Sequence, residues 1–156
     1  SSDLYGFPSP QRLAGCDPDE LKRCTNNNSR RARNIILASK AVADGKIDLS
    51  ALRNNSIPLD ELRRTLCELD GIGFKIADCI ALFGLGRFDA FPIDTHVKQY
   101  LAFWFRSNTA HRPLTPSTYL RLDAEARTIL DPELAGYAGH ILFHCWRKAV
   151  KKLRWF

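Results

Sequence analysis

The triplet Gly71-Ile72-Gly73 is the feature that most restricts what this chain can fold into. It separates two segments with helical periodicity. Leu59 to Glu68 is apolar at Leu59, Leu62 and Leu66, with Leu69 just beyond, and Phe74 to Leu85 is apolar at Ile76, Ala77, Ile80 and Phe83. A turn this short requires glycine, either for a positive φ or because another backbone comes close. It also leaves the NH groups of Gly71, Gly73 and Lys75 without helical partners at the positive end of the next helix, where a phosphate would fit. Ile72 plugs the turn into the core. An ordinary αα-corner with a glycine C-cap has the same triplet, so Gly-apolar-Gly alone divides evenly between the two. The longer string Leu69-Asp70-Gly71-Ile72-Gly73-Phe74-Lys75-Ile76-Ala77-Asp78 favours the phosphate-binding hairpin.

The rest of the chain also reads as helices between Pro, Gly and Asn breakers. Asp17-Pro18-Asp19-Glu20 combines an N-cap, a proline at the first helical position and acids in the first turn. Asn26-Asn27-Asn28 ends that helix. A longer one follows from Arg30 to Ala43, with Ala32, Ile35, Ile36, Ser39 and Val42 on one face, and Asp44-Gly45 ends it. Further helices are expected from Asp94 to Phe105 and from Ala135 to Lys152, joined by a loop rich in Ser, Thr, Pro and Arg (Arg106 to Ser117). No alternating pattern persists, so the class is all-α. At 156 residues one domain is expected, spanning 1–156. It divides into the hairpin (59–85), a loop and helix (90–105) and a C-terminal helix (135–152).

No run of about 18 apolar residues exists, and the N-terminus has no apolar stretch of the kind signal peptides carry. The five cysteines are odd in number and lack C-x-x-C spacing, which suits reduced thiols in an intracellular protein. Only Cys145 lies in the C-terminal third, so no four-cysteine iron–sulfur loop is expected there. A net charge of +6 and a pI near 9.2 are consistent with a polyanionic partner. The basic residues cluster as Lys22, Arg23, Arg30, Arg31 and Arg33, and again as Arg147, Lys148, Lys151, Lys152 and Arg154. Half of these suit solvated helix faces and the remainder phosphate contacts. Trp146, Trp155 and Phe156 suit packing as well as stacking.

Two side chains carry possible chemistry. Lys75 lies in the first turn of a helix with apolar neighbours. The macrodipole and burial there favour the neutral amine, a nucleophile toward a sugar C1′. A surface ion pair with Asp78 at i+3 is the alternative. Asp94, in Phe91-Pro92-Ile93-Asp94-Thr95-His96-Val97, suits the N-cap of the next helix. A carboxylate held ionised there also stabilises a developing oxocarbenium cation. His96 is a candidate phosphate donor, or a plain core or surface histidine.

Leu69-x-Gly71-Ile72-Gly73-x-Lys75-x-Ala77-Asp78, followed by Pro92-x-Asp94-x-His96-Val97, resembles the helix-hairpin-helix/Gly-Pro-Asp superfamily of DNA glycosylases. Lys75-Ile76-Ala77-Asp78-Cys79-Ile80 is most similar to its 8-oxoguanine branch. Tyr5-Gly6-Phe7-Pro8-Ser9, Arg31-Ala32-Arg33 and Ala135-Gly136-Tyr137-Ala138 through Leu142-Phe143 extend the likeness over nearly the whole chain. The resemblance implies a base-excision repair enzyme that removes 8-oxoguanine from duplex DNA by base flipping. It assigns Lys75 to Schiff-base formation and strand nicking by β-elimination, and Asp94 to the charge beside C1′. It further implies a base pocket lined by Phe143, Cys79 and Gly139, and phosphate contacts by Gly71, Gly73, Lys75, His96 and Arg31. The backbone carbonyls of Cys67, Leu69 and Ile72 would hold a structural Na⁺ or K⁺, and no cofactor is required.

Three departures stand out. Gly139 replaces a glutamine that reads the base edge in animal-type enzymes, so base recognition is expected to differ or be looser. Arg30 replaces a tyrosine that intercalates at the DNA kink. The family's N-terminal half is not represented. With Ser1 first and no methionine anywhere, the chain is expected to need further N-terminal polypeptide, and Leu37, Leu82, Phe103 and Leu142 are expected to be incompletely covered. Removal of an alkylated base or an oxidised pyrimidine is a rival within the superfamily. The rival of another class is a non-catalytic hairpin module, which needs the Gly-Ile-Gly turn but neither Lys75 nor Asp94.

Overall fold

The computed structural model describes the backbone over residues 6–153 and the side chains as far as Val150. Within it the chain is helical, with no strand among the described residues. Helices α1 (Pro10–Ala14) and α2 (Pro18–Lys22) each have a proline in the first turn, and Ser9 and Asp17 cap them through their side chains. Asn26 and Asn27 turn the chain with φ near +54° and +59°, a conformation asparagine tolerates better than most residues. Helix α3 (Ser29–Ala43) follows, capped by Asn28, and α1 and α2 pack against it. Gly45 (φ +72°) ends it, and α4 is the single turn Leu49–Leu52.

Helices α5 (Leu59–Cys67) and α6 (Phe74–Cys79) form the hairpin. Its second arm does not continue as the uniform helix expected to Leu85. It widens into a π-helical turn, Ile80–Gly84, where the Leu85 NH reaches back to the Ile80 carbonyl. One extra residue per turn rotates the following side chains, a device common beside functional sites. Helix α7 (Thr95–Phe105) starts at Asp94, and α9 (Ala135–Leu153) closes the described chain.

The segment between α7 and α9 corrects the sequence expectation of a loop leading to the last helix. It contains a 3₁₀ turn, Thr109–His111, and a full helix, α8 (Pro116–Ala126). Thr115 caps α8 and Pro116 opens it, and Tyr119, Leu122 and Ala126 are buried. The polar composition up to Ser117 concealed the start, because capping residues are also loop residues.

Two apolar clusters share the interior. One joins Ile47, Leu52, Leu62, Leu66, Ala77 and Leu82, with Ile72 and Leu69 packed against it. The other joins Phe91, Ile93, Val97, Tyr100, Tyr119 and Leu122 to Trp146 of α9. Trp146 is therefore a packing residue, whereas Trp155 and Phe156 lie outside the described residues, as do Arg154 and the side chains of Lys151 and Lys152. The clusters meet at Ala90-Phe91. Of the four apolar residues expected to lack cover, Leu37 (51% exposed) and Phe103 (69%) do lack it, but Leu82 is buried and Leu142 half-buried. Leu82 lies in the π turn and packs into the hairpin cluster.

Candidate active site

The seam between the two clusters opens into a cavity of about 190 Å³. The hairpin's second arm lines it with Lys75, Cys79, Leu82 and Phe83. The loop before α7 adds Phe91, Pro92 and Asp94, α7 adds Val97, and α9 adds Gly136, Gly139, His140 and Phe143. Lys75, Asp94, Cys79, Gly139 and Phe143, drawn from three elements separated by tens of residues, thus share one cavity. Its wall is mostly apolar and aromatic.

Asp94 is the N-cap of α7. One carboxylate oxygen accepts from the Val97 NH at 2.9 Å, leaving the other free of hydrogen bonds among the described residues. Such a cap is worth about 1 kcal/mol and fixes the carboxylate's orientation. Lys75 occupies the first turn of α6 but is exposed, which corrects the expectation that burial favours its neutral amine. Nor does Asp78 pair with it, because Asp78 points into the core. Cys79 lies one turn beyond Lys75, and burial pushes its thiol up. The nearby Lys75 ammonium acts the other way, and Asp78 and Asp94 add to the rise. The result is a neutral thiol on the cavity wall.

Phe143 is half-buried in an aromatic group. His96 meets its ring edge-on at 5.7 Å, His140 lies nearly parallel at 6.3 Å, and the Arg147 guanidinium sits 5.8 Å from its centroid. His96 does not line the cavity. Its Nδ1 is 3.3 Å from Gln99 Oε1, which also accepts from the Trp146 indole NH at 3.1 Å.

Gly139 has a packing role that sequence reasoning missed. A Cβ built there would lie 2.1 Å from Cε2 of Phe91, and the Gly139 carbonyl accepts from the Tyr100 hydroxyl at 3.3 Å. At Gly136, one turn earlier, a Cβ would lie 1.8 Å from the Ala90 carbonyl oxygen, and the Gly136 NH donates to the Phe88 carbonyl at 2.8 Å. Glycine at both positions lets α9 lie directly on the loop that carries Asp94.

At the hairpin, Gly71 has φ +83°, so a side chain there would be strained, and it would also have to displace the Asn34 amide. Gly73 differs, with φ −103° and nothing within 4 Å of its ideal Cβ. None of the NH groups of Gly71, Gly73 and Lys75 donates a hydrogen bond within the described chain. Gly71 shares a surface groove with Arg30, Arg31 and Asn34 at the start of α3. Among the three carbonyls expected to hold an alkali-metal ion, Leu69 accepts from the Ile72 NH at 3.1 Å, and those of Cys67 and Ile72 accept no bond from the described residues.

Beneath the cavity is a buried ionic network that sequence reasoning did not find. Arg63 of α5 donates to Asp78 from Nε (2.7 Å) and Nη2 (3.0 Å), and to Asp123 of α8 from Nη1 (3.0 Å). Arg127 also pairs with Asp123 and donates to the Asp89 carbonyl at 2.7 Å. Burial works against the Arg63 charge, but Asp78 and Asp123 hold its guanidinium firmly protonated. Every buried side-chain polar atom among the described residues has a partner. Charged residues at helical spacing read as solvated faces, so only the three-dimensional pairing shows this network.

Residues 2–121 match the model of the HhH-GPD superfamily of base excision DNA repair proteins. The chain is 33% identical over 153 residues to the N-glycosylase/DNA lyase OGG1 of Arabidopsis thaliana, covering 97% of this chain and 41% of that protein. A solved structure of MBOgg1 in complex with a low-affinity DNA ligand superposes with a TM-score of 0.77 at 28% identity, over 94% of this chain and 46% of that one. The Clostridium acetobutylicum 8-oxoguanine glycosylase/lyase, solved with double-stranded DNA containing cytosine opposite 8-oxoG, shares the fold (TM-score 0.76, 23% identity, 94% and 46% coverage). The chain therefore spans less than half the length of these relatives.

Proposed function

This chain belongs to the HhH-GPD superfamily of base excision DNA repair proteins, and on that premise we propose that it is the catalytic part of a bifunctional DNA glycosylase and abasic-site lyase acting on 8-oxoguanine in duplex DNA. One observation carries the reading: Lys75 and Asp94 line the same apolar cavity, with Phe143 on its wall. A non-catalytic hairpin module has no use for that convergence.

The damaged nucleotide is extruded from the duplex into the cavity, where the base stacks on Phe143 beside the neutral Cys79 thiol. Lys75 Nζ attacks C1′ as the C1′–base bond breaks, the bonding pair leaving with the base, which takes up a proton. The free oxygen of Asp94 stabilises the positive charge developing on the sugar. Opening of the sugar ring gives a Schiff base between Lys75 and C1′. Loss of a C2′ proton then expels the 3′ phosphate by β-elimination. Because Lys75 is exposed in this chain alone, closure of DNA over the cavity supplies the desolvation that its amine needs.

The hairpin's free NH groups and Arg31 hold phosphates on either side of the shared groove, and His96 and Lys75 serve as further donors. Backbone carbonyls suit a hard cation, so those of Cys67, Leu69 and Ile72 would hold a Na⁺ or K⁺, whose charge would favour a phosphate at the hairpin. The complete enzyme includes further N-terminal polypeptide that reaches the opposite strand. Support comes from an apolar groove lined by Phe7, Leu13, Val42, Leu66, Ile72 and Ile80, in which Phe7 is 91% exposed. Such an enzyme works inside the cell, associated with DNA, and no described helix is long and apolar enough to cross a membrane.

Borohydride trapping tests the assignment. An 8-oxoguanine duplex should become covalently linked to the protein, and Lys75→Gln should abolish the adduct while leaving duplex binding largely intact. An undiminished adduct in that variant refutes it.

A further inference from the structure

The two catalytic groups sit on separate elements, and a single hydroxyl ties those elements together. Tyr119 of α8 is buried, with its ring 5.6 Å from that of Phe74 at the start of α6. Its Oη donates to Asp78 Oδ2 at 2.6 Å, and Asp78 lies one turn beyond Lys75 on the same helix. The same oxygen accepts from the Ile93 NH at 3.1 Å, and Ile93 is the residue before Asp94. The Phe91 carbonyl lies 3.2 Å away as a second acceptor for the hydroxyl proton. Burial, reinforced by the Asp78 carboxylate, keeps the phenol protonated, so the donor is always present.

We infer that Tyr119 is a positioning residue that sets the distance between the Lys75 amine and the Asp94 carboxylate. The geometry leaves little slack. Asp78 is fully buried and also held by two hydrogen bonds from Arg63, so it cannot follow a displaced loop. On the other side, Ile93 is fully buried, and α9 rests on the chain at Ala90 and Phe91. The Ile93 NH has no other acceptor among the described residues. Without the hydroxyl, that amide is buried unsatisfied, and the simplest relief is a shift of the loop bearing Asp94. Arg63, Asp123 and Arg127 serve the same end, since they fix α5 and α8 relative to the loop.

The inference rests on the proposed roles of Lys75 and Asp94, and Tyr119→Phe tests it with readouts that separate the two. The variant keeps the ring against Phe74 and removes only the hydroxyl. Single-turnover excision at saturating protein should fall about ten- to a hundredfold, the scale of a misplacement of roughly 1 Å. Duplex affinity should stay unchanged. Borohydride trapping on a preformed abasic site, which needs Lys75 but not the charge of Asp94, should fall far less than excision. Amide hydrogen exchange should speed up at Ile93 specifically, whereas a merely structural loss would raise exchange throughout the chain and lower all activities together. Excision and Ile93 exchange both at wild-type levels overturn the inference, as does an equal loss of excision and trapping. If Tyr119→Phe does not fold, exchange in the wild-type protein decides: a strongly protected Ile93 amide supports the coupling, and an unprotected one overturns it. Should the wild-type protein form no adduct at Lys75, the functional reading fails, while Ile93 exchange in the variant still reports on the tie.

Discussion

Alanine at Gly139 would add one carbon where α9 packs on the Phe91 ring of the Asp94 loop. Its Cβ would lie 2.1 Å from Phe91 Cε2 and 2.5 Å from Cδ2, while carbon atoms pack best at about 3.5–4.0 Å. The ring must therefore move by more than an ångström, yet Phe91 is only 1% exposed. Overpacking of this kind costs about 1–3 kcal/mol. For a chain of this size each kcal/mol shifts the midpoint by roughly 2–4 °C, so Tm should drop by about 2–12 °C. The ring has one soft direction, into the cavity it lines, and taking it trades part of the stability loss for lost space in the base pocket. Gly139→Ala should then be nearly as stable as wild type but slow in excision. Either way one of the two readouts falls. Calorimetric melting and single-turnover excision on an 8-oxoguanine duplex measure both. Phe91→Leu in the same chain should relieve the clash, with a favourable coupling of about 0.5–3 kcal/mol between the two substitutions. Wild-type Tm together with wild-type excision in Gly139→Ala, or strict additivity with Phe91→Leu, would falsify this account of why glycine stands there.

Gly71→Ala and Gly73→Ala should part company. The first meets a positive φ and Asn34 and should lower stability by about 1–2 kcal/mol, seen by denaturant titration. The second meets nothing within the chain and should leave stability unchanged while weakening binding to damaged and undamaged duplex alike, seen by fluorescence anisotropy. Phe143→Ala should reduce lesion affinity or excision roughly ten- to a hundredfold, the worth of one stacked base. With no side chain at Gly139 to read the base edge, a panel of lesion duplexes should show formamidopyrimidines processed beside 8-oxoguanine. Arg63→Ala strands two buried carboxylates and should cost about 3–5 kcal/mol, with a loss of Tm to match; a change within 2 °C of wild type, about 0.5–1 kcal/mol, counts against the network.

The all-α class, the hairpin and the capping role of Asp94 are local matters, and the sequence by itself determined them. Glycine at a positive φ, a carboxylate before a helix and apolar residues at helical spacing act on their immediate neighbours, so their signals lie within a few residues of one another. The Lys75/Asp94 pair was legible for a different reason: its two motifs are distinctive strings, and the resemblance supplied the pairing. Helix α8 escaped because Thr115-Pro116-Ser117 reads equally as loop and as cap, and only burial of Tyr119, Leu122 and Ala126 resolves the choice. Sequence spacing offers Asp78 only Lys75, three residues away, as an alternative partner, whereas Arg63, fifteen residues away, is the cation that shares its buried site. Gly139 looked like a missing recognition side chain, and the tertiary structure made it a contact surface for Phe91. What the fold alone decided are the meetings of residues far apart in sequence. Their cost and benefit depend on desolvation and close packing, which exist only once the helices have come together.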